Sequence, residues 1–96
     1  MEFDIGRVCE EVESHLGDLD KCGVTIQFKD PDRSATYNVD GDRCISSVSF
    51  WPNGLCDSEH IIVATEQRSF NHYEFATEQL AILTIIRELE AAIHRA

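Results

Sequence analysis

The residues whose types could do chemistry in this chain include four cysteines, four histidines and, among several closely spaced acids, the pair Asp57 and Glu59. A cysteine and a histidine within hydrogen-bond reach would make a nucleophile and its base. Cys9 and His15, six residues apart on one helical segment, fall on opposite faces. Cys56 and His60 share a face of a strand, but four residues along a strand span ~13 Å, beyond that reach. Counting back from the intervening turn sets Cys44 opposite residue 62 or 63, not opposite Cys56. The cysteines lie 13, 22 and 12 residues apart with no C-x-x-C pair, so the close ligand pairs of a structural zinc site are missing. Cys56, His60 and His72 remain a minor metal-ligand alternative. The simpler reading is four reduced, mostly buried thiols. Asp57 and Glu59 could be the carboxylate pair of a hydrolase, but a chain this small shows no sign of a pocket around them. "DGD" and "PNG" are turns, not phosphate loops. No catalytic, cofactor-binding or metal-binding residue is therefore expected.

A binding role suits the same residues better. In "SFWPNGLCDSEHI" a strand runs to the single tryptophan, Pro52-Asn53-Gly54 turns the chain, and Leu55, Asp57, Glu59 and Ile61 then share one strand face by alternation. If residue 51 pairs with 55 across a three-residue turn, Trp51 joins Asp57 and Glu59 on one face. If residue 52 pairs with 55, Trp51 changes sides. The first register makes an aromatic flanked by acids, the make-up of a hot spot for a basic surface. In the competing reading, Trp51 packs under a helix and the acids keep the sheet soluble. His72, Tyr73 and Glu74 form a second aromatic and acidic cluster at an adjacent strand end, with the same two readings. Glu10, Glu11 and Glu13 on the first helix offer an alternative surface.

Composition limits the partners. The 96 residues carry 18 acids against 8 Lys and Arg, a formal net charge of -10. That field repels nucleic acid and anionic membranes and steers a basic partner toward the chain. No apolar run approaches the ~20 residues of a membrane span. The acidic start MEFDIGRVCEEVESH has neither the basic region nor the apolar core of a signal peptide, so the cytoplasm is the expected location.

The elements that must position these residues follow from periodicity. Ile5, Val8, Cys9, Val12, Leu16 and Leu19 form a helical stripe with Asp4 as N-cap, and Gly23 marks the exit. "GVTIQFKD" alternates, with Val24, Ile26 and Phe28 on one side and Thr25, Gln27 and Lys29 on the other. "SATYNV", "RCISSVSFW" and "LCDSEHIIVAT" continue the strands, and "SFNHYEF" supplies a fifth. In "DGD", Gly41 stands where a tight hairpin uses a positive φ. From Thr77 the period becomes helical through Ile82, Ile85, Ile86, Leu89 and Ile93, widened by Leu80, Leu83 and Ala92. The expected fold is one α+β domain over residues 1–96: an N-terminal helix, a four- to five-stranded antiparallel meander and a C-terminal helix. Both helices would pack on one sheet face and leave the other polar.

The strand-turn-strand with Trp51, Gly54, Cys56, Asp57 and Glu59, followed by "FNHYEF" with His72, Tyr73 and Glu74, resembles the TriTu family of immunity proteins. The acidic first helix, "DGDRCISSV" and the C-terminal amphipathic helix are similar too, so the likeness spans most of the chain. Pro-Asn-Gly followed by Leu55 departs from the polar residue expected after the turn. The resemblance implies an antitoxin that binds a TreTu toxin, an ADP-ribosyltransferase domain delivered by Rhs-type, type VI-secreted effectors. Such a toxin uses NAD to modify elongation factor Tu and stops translation. It implies a protein partner and no cofactor, and a monomer meeting the toxin one to one is the expectation. The Trp51, Asp57 and Glu59 cluster and the net charge of -10 point to the acidic sheet and turn as the part that occludes the toxin's cleft, through Trp51, Asn53, Asp57, Glu59, His72, Tyr73 and Glu74. An acidic secretion chaperone holding an effector segment fits the same size, charge and layout.

Overall fold

The computed structural model describes residues 2–96. Helix α1 (Ile5–Leu16) and a single helical turn α2 (Leu19–Cys22) precede five strands: β1 (Val24–Asp30), β2 (Ser34–Asp40), β3 (Cys44–Phe50), β4 (Leu55–Ile62) and β5 (Arg68–Glu74). Helix α3 (Glu78–Arg95) follows. The strands form one antiparallel meander in the order β1-β2-β3-β4-β5, and α1 and α3 pack against each other on one of its faces. The α+β layout is the one periodicity predicts.

Local chemistry sets the element ends. The Asp4 carboxylate accepts from the Arg7 N–H at 3.1 Å and caps α1, and the Thr77 hydroxyl accepts from the Leu80 N–H at 3.2 Å and caps α3. The first stripe is broken where a single helix is expected: α1 stops at Gly17, and Asp18 starts α2 by accepting from the amides of Asp20 and Lys21. Leu19 still reaches the core, from α2. Gly41 does not take a positive φ. Its lack of a side chain serves close approach instead, because a Cβ there would lie 2.4 Å from that of Ala96.

The helix-covered, inner face of the sheet contributes Val24, Ala35, Tyr37, Val39, Val48, Phe50 and Cys56 to a core completed by Ile5, Val8, Val12, Ile85 and Leu89. Full burial of each Ile, Leu or Val contributes about 1.5–3 kcal/mol. On α3 the buried arc is Ala81, Ile85, Ile86, Leu89 and Ala92. Leu80 and Leu83, expected to widen it, are exposed instead. At 100° per residue they point well off that arc, and α3 lies over β3 and α1 with little of β5 beneath it. All four cysteines are free thiols, with Cys9, Cys44 and Cys56 buried and Cys22 half-buried. Burial pushes the Cys56 thiol up to about 12 and raises that of Cys9, so neither is an activated nucleophile.

β1 also departs from the alternation expected of it. The strand keeps one alternation only as far as Ile26, where a bulge shifts the register so that Phe28 sits opposite Thr36 and Lys29 opposite Ala35. Phe28 therefore moves to the outer face, and Lys29 moves to the helix side, where it pairs with Glu13 of α1. The outer face thereby gains an exposed Phe28, beside the exposed Ile45 and Phe70 that regular alternation sets there.

Candidate functional site

The chain takes the three-residue register at its central turn. The Trp51 N–H donates to the Leu55 carbonyl at 2.9 Å, the Gly54 N–H to the Trp51 carbonyl at 3.1 Å, and Phe50 faces Cys56. Asn53 turns its side-chain oxygen back to the Leu55 N–H at 3.1 Å, while Gly54 takes φ +87°. The turn is held from below: the Phe3 N–H donates to the Pro52 carbonyl at 2.6 Å and the Phe75 N–H to the Gly54 carbonyl at 2.9 Å. Since Phe50 lies inward, alternation sets Trp51 outward, on the face of Asp57 and Glu59.

Cross-strand register makes that face a surface spanning all five strands. One row runs Phe28, Thr36, Ser49, Asp57 and His72, and the next runs Thr25, Asn38, Ser47, Glu59 and Phe70. Asp57 is paired with His72 at 2.6 Å, and Glu59 lies 3.8 Å from Arg68. Glu74 stands opposite Leu55 at the turn end. The acids singled out from sequence are thus brought together with Trp51, but two of them have basic neighbours on β5. Phe70, 61% exposed, sits between those two contacts and is the most open large apolar side chain of the face. Sequence reading left it unassigned although its alternation with His72 and Glu74 marks the same face. Phe28 carried no comparable signal, because neither Gly nor Pro marks the bulge.

Tyr73 belongs to the other side. It faces Cys56, stacks on Phe75 with centroids 5.8 Å apart, and donates its hydroxyl to Glu88 of α3. That hydrogen bond to the carboxylate, with burial second, pushes the Tyr73 phenol up to about 12. Glu10 and Glu11 are exposed on α1, across the sheet from the outer face, whereas Glu13 is engaged by Lys29 and by the Tyr37 hydroxyl at 2.7 Å. His72 lies on the opposite face from Cys56 and His60, so those three cannot converge on one metal ion.

The inner face holds one arrangement that sequence reading missed. Ser46 Oγ is 2.7 Å from His60 Nδ1, and His60 Nε2 is 3.1 Å from Glu88 Oε2. Serine, histidine and carboxylate in that order are the parts of an acyl-transfer site. Here the serine is 2% exposed and the histidine 3%, and Glu88 also holds the Tyr73 hydroxyl. Two open surface cavities, one lined by Arg43, Cys44, Ile62, His94 and Arg95 and one by His15, Leu16, Cys22, Glu90, Ile93 and His94, reach neither Ser46 nor His60. A substrate has no approach from either. The arrangement instead ties α3 to β3, β4 and β5 through satisfied buried polar groups. Counting out from the central turn could have found its Ser46–His60 part. No helix among the described residues is long and apolar enough to cross a membrane.

Comparison with known proteins adds the family. Residues 6–91 match the family model described as "Immunity protein TriTu". Neither a curated protein nor a solved structure matches the chain.

Proposed function

The chain belongs to the TriTu family of immunity proteins, and from that premise we propose that it binds and neutralises a cognate TreTu-like toxin domain. The toxin is an ADP-ribosyltransferase of an Rhs, type VI-secreted effector that otherwise modifies elongation factor Tu in the cytoplasm and blocks translation. The protein acts by association, without catalysis of its own.

The observation that carries the placement of the interface is the shared outward face of Trp51, Asp57 and Glu59, bordered by Phe28, Phe70, His72 and Glu74. A half-buried Trp51 with exposed Phe28 and Phe70 amid charge gives slow dissociation, and a net charge of -10 speeds encounter with a basic cleft. Asn53 sits at the tip of the same hairpin. Laid across the toxin cleft, this face keeps out NAD or the elongation factor. Glu10 and Glu11 of α1 are the rival surface, while Tyr73 acts indirectly by holding Glu88 under the sheet.

The test is ADP-ribosylation of elongation factor Tu by a purified TreTu-type toxin domain, titrated with this protein. Complete inhibition near one equivalent supports the immunity role. Undiminished activity at excess overturns it and favours a chaperone, which would hold an unfolded segment rather than a folded enzyme. With Trp51, Asp57 and Glu59 all changed to alanine, affinity falls roughly a hundredfold or more, since two hot-spot losses of about 2 kcal/mol each suffice. Retained affinity there, with loss on changing Glu10 and Glu11, moves the interface to α1.

A further inference from the structure

The two edges of the sheet are built differently. β1 is guarded: it bulges at Gln27, sends Lys29 to Glu13 of α1, has α2 packed beside it and ends at Pro31. β5 has no such device. Its pairing with β4 is unbroken from Arg68 to Glu74, no Pro or Gly interrupts it, and every residue but Tyr73 is exposed.

The hydrogen-bond phase of β5 says which groups are free. The Ile62 N–H donates to the Gln67 carbonyl and the Phe75 N–H to the Gly54 carbonyl, both at 2.9 Å. Between these two points antiparallel pairs alternate, so Gln67, Ser69, Asn71, Tyr73 and Phe75 aim their backbone groups at β4. Arg68, Phe70, His72 and Glu74 aim theirs away from the sheet, along an uncovered edge.

We propose that this edge joins two copies of the chain, β5 to β5 antiparallel, about a two-fold axis at Asn71. The free groups allow this register: Arg68 faces Glu74 of the second copy, and Phe70 faces its His72. All four side chains lie on the outer face, so an opposite-charge pair closes each end of the seam while two Phe–His contacts fill its middle. On the inner side Ser69 meets Tyr73 of the second copy, and the two Asn71 meet each other. The seam is isologous, each contact occurring twice. It makes one continuous sheet whose outer faces lie side by side, so toxin binding would follow a two-to-two stoichiometry rather than the one-to-one expected of a monomer. The proposal does not depend on the identity of the toxin.

Sedimentation equilibrium of the purified protein, from micromolar to millimolar concentration, tests it. A monomer–dimer equilibrium is expected. Arg68→Glu sets two like-charge pairs in the seam and weakens the dimer roughly tenfold or more, as does Glu74→Arg, and combining them restores the pairing to within about threefold. Phe70→Lys weakens it as well without touching the core. Amide hydrogen exchange gives a second readout: the Phe70 and His72 amides slow as concentration rises, while that of Asn71, already bonded within the sheet, does not change. A monomer at every concentration overturns the proposal. So does a dimer that ignores both charge reversals and leaves the Phe70 and His72 amides exchanging freely.

Discussion

The two faces of β4 are made from alternate residues of one eight-residue strand, and they do opposite things with polar groups. Inward, Cys56, Ser58 and His60 are buried, and His60 is held from both ring nitrogens by Ser46 and Glu88. Outward, Asp57 and Glu59 keep contact with water and lean on single basic neighbours from β5. A polar group under the helix has lost its water and depends wholly on its protein partners. One on the open face can exchange its partner for water, or for another protein, at little cost. A one-residue step along the strand thus separates what holds the sheet together from what is available for recognition.

The largest effect that would test this division is expected at Glu88. Its carboxylate accepts from the Tyr73 hydroxyl and pairs with His60, itself 3% exposed. Glu88→Ala leaves both without their partner and destabilises the protein by about 2–4 kcal/mol. Urea denaturation would show a lower midpoint at unchanged slope. Affinity of the folded protein for its toxin stays near wild type, because no part of Glu88 reaches the outer face. An equally large loss of affinity at unchanged stability would break the comparison, placing the inner polar chain in recognition.

An intermediate effect is expected at the turn, where the two faces meet. Gly54 combines φ +87° with a position in which a Cβ would lie 3.0 Å from the Phe75 carbonyl oxygen and 3.4 Å from the Phe3 ring. Gly23 shares the positive φ, at +78°, but opens onto free space. Gly23→Ala therefore costs only the left-handed backbone, about 1 kcal/mol, whereas Gly54→Ala adds a collision with backbone and costs about 2 kcal/mol or more. Thermal melts of the two variants measure the difference. Gly54→Ala also weakens toxin binding, because the displaced turn carries Trp51 with it; Gly23→Ala does not.

How far the fold was legible depended on whether each decision was local. Alternation and the 3.6-residue period mark the strands and helices, and Asp4 declares its cap, since each acts within one turn of chain. The register at Pro52-Asn53-Gly54 was not readable, because two- and three-residue turns suit those residues equally and only the packed Phe3 and Phe75 show which is built. The bulge after Ile26 leaves no compositional mark, so Phe28 was set on the wrong face. The exposure of Leu80 and Leu83 was legible, because the 3.6-residue period already turns both away from the arc of Ala81, Ile85, Ile86, Leu89 and Ala92. Tyr73 and His72, adjacent in sequence, were grouped as one cluster; strand geometry divides them between the faces, and the partner that fixes Tyr73 lies 15 residues away on a helix.

The smallest effect on stability, and the sharpest contrast in sign, is expected at the Asp57–His72 pair. Its side chains are 33% and 47% exposed, so losing it changes folding stability by no more than about 0.5 kcal/mol. On the proposed reading, however, its two members do unlike work. Asp57 supplies charge to a basic partner, and His72, 2.6 Å away, competes for that charge. Asp57→Asn should then slow association and weaken binding, while His72→Ala, which frees the carboxylate, should leave association as fast or faster. Stopped-flow association rates at two ionic strengths separate the cases, since the Asp57 contribution fades as salt screens it. If both substitutions weaken binding alike, the pair is recognised as a unit through its shape, and the outer face then works by complementarity of fixed contacts rather than by freely offered negative charge.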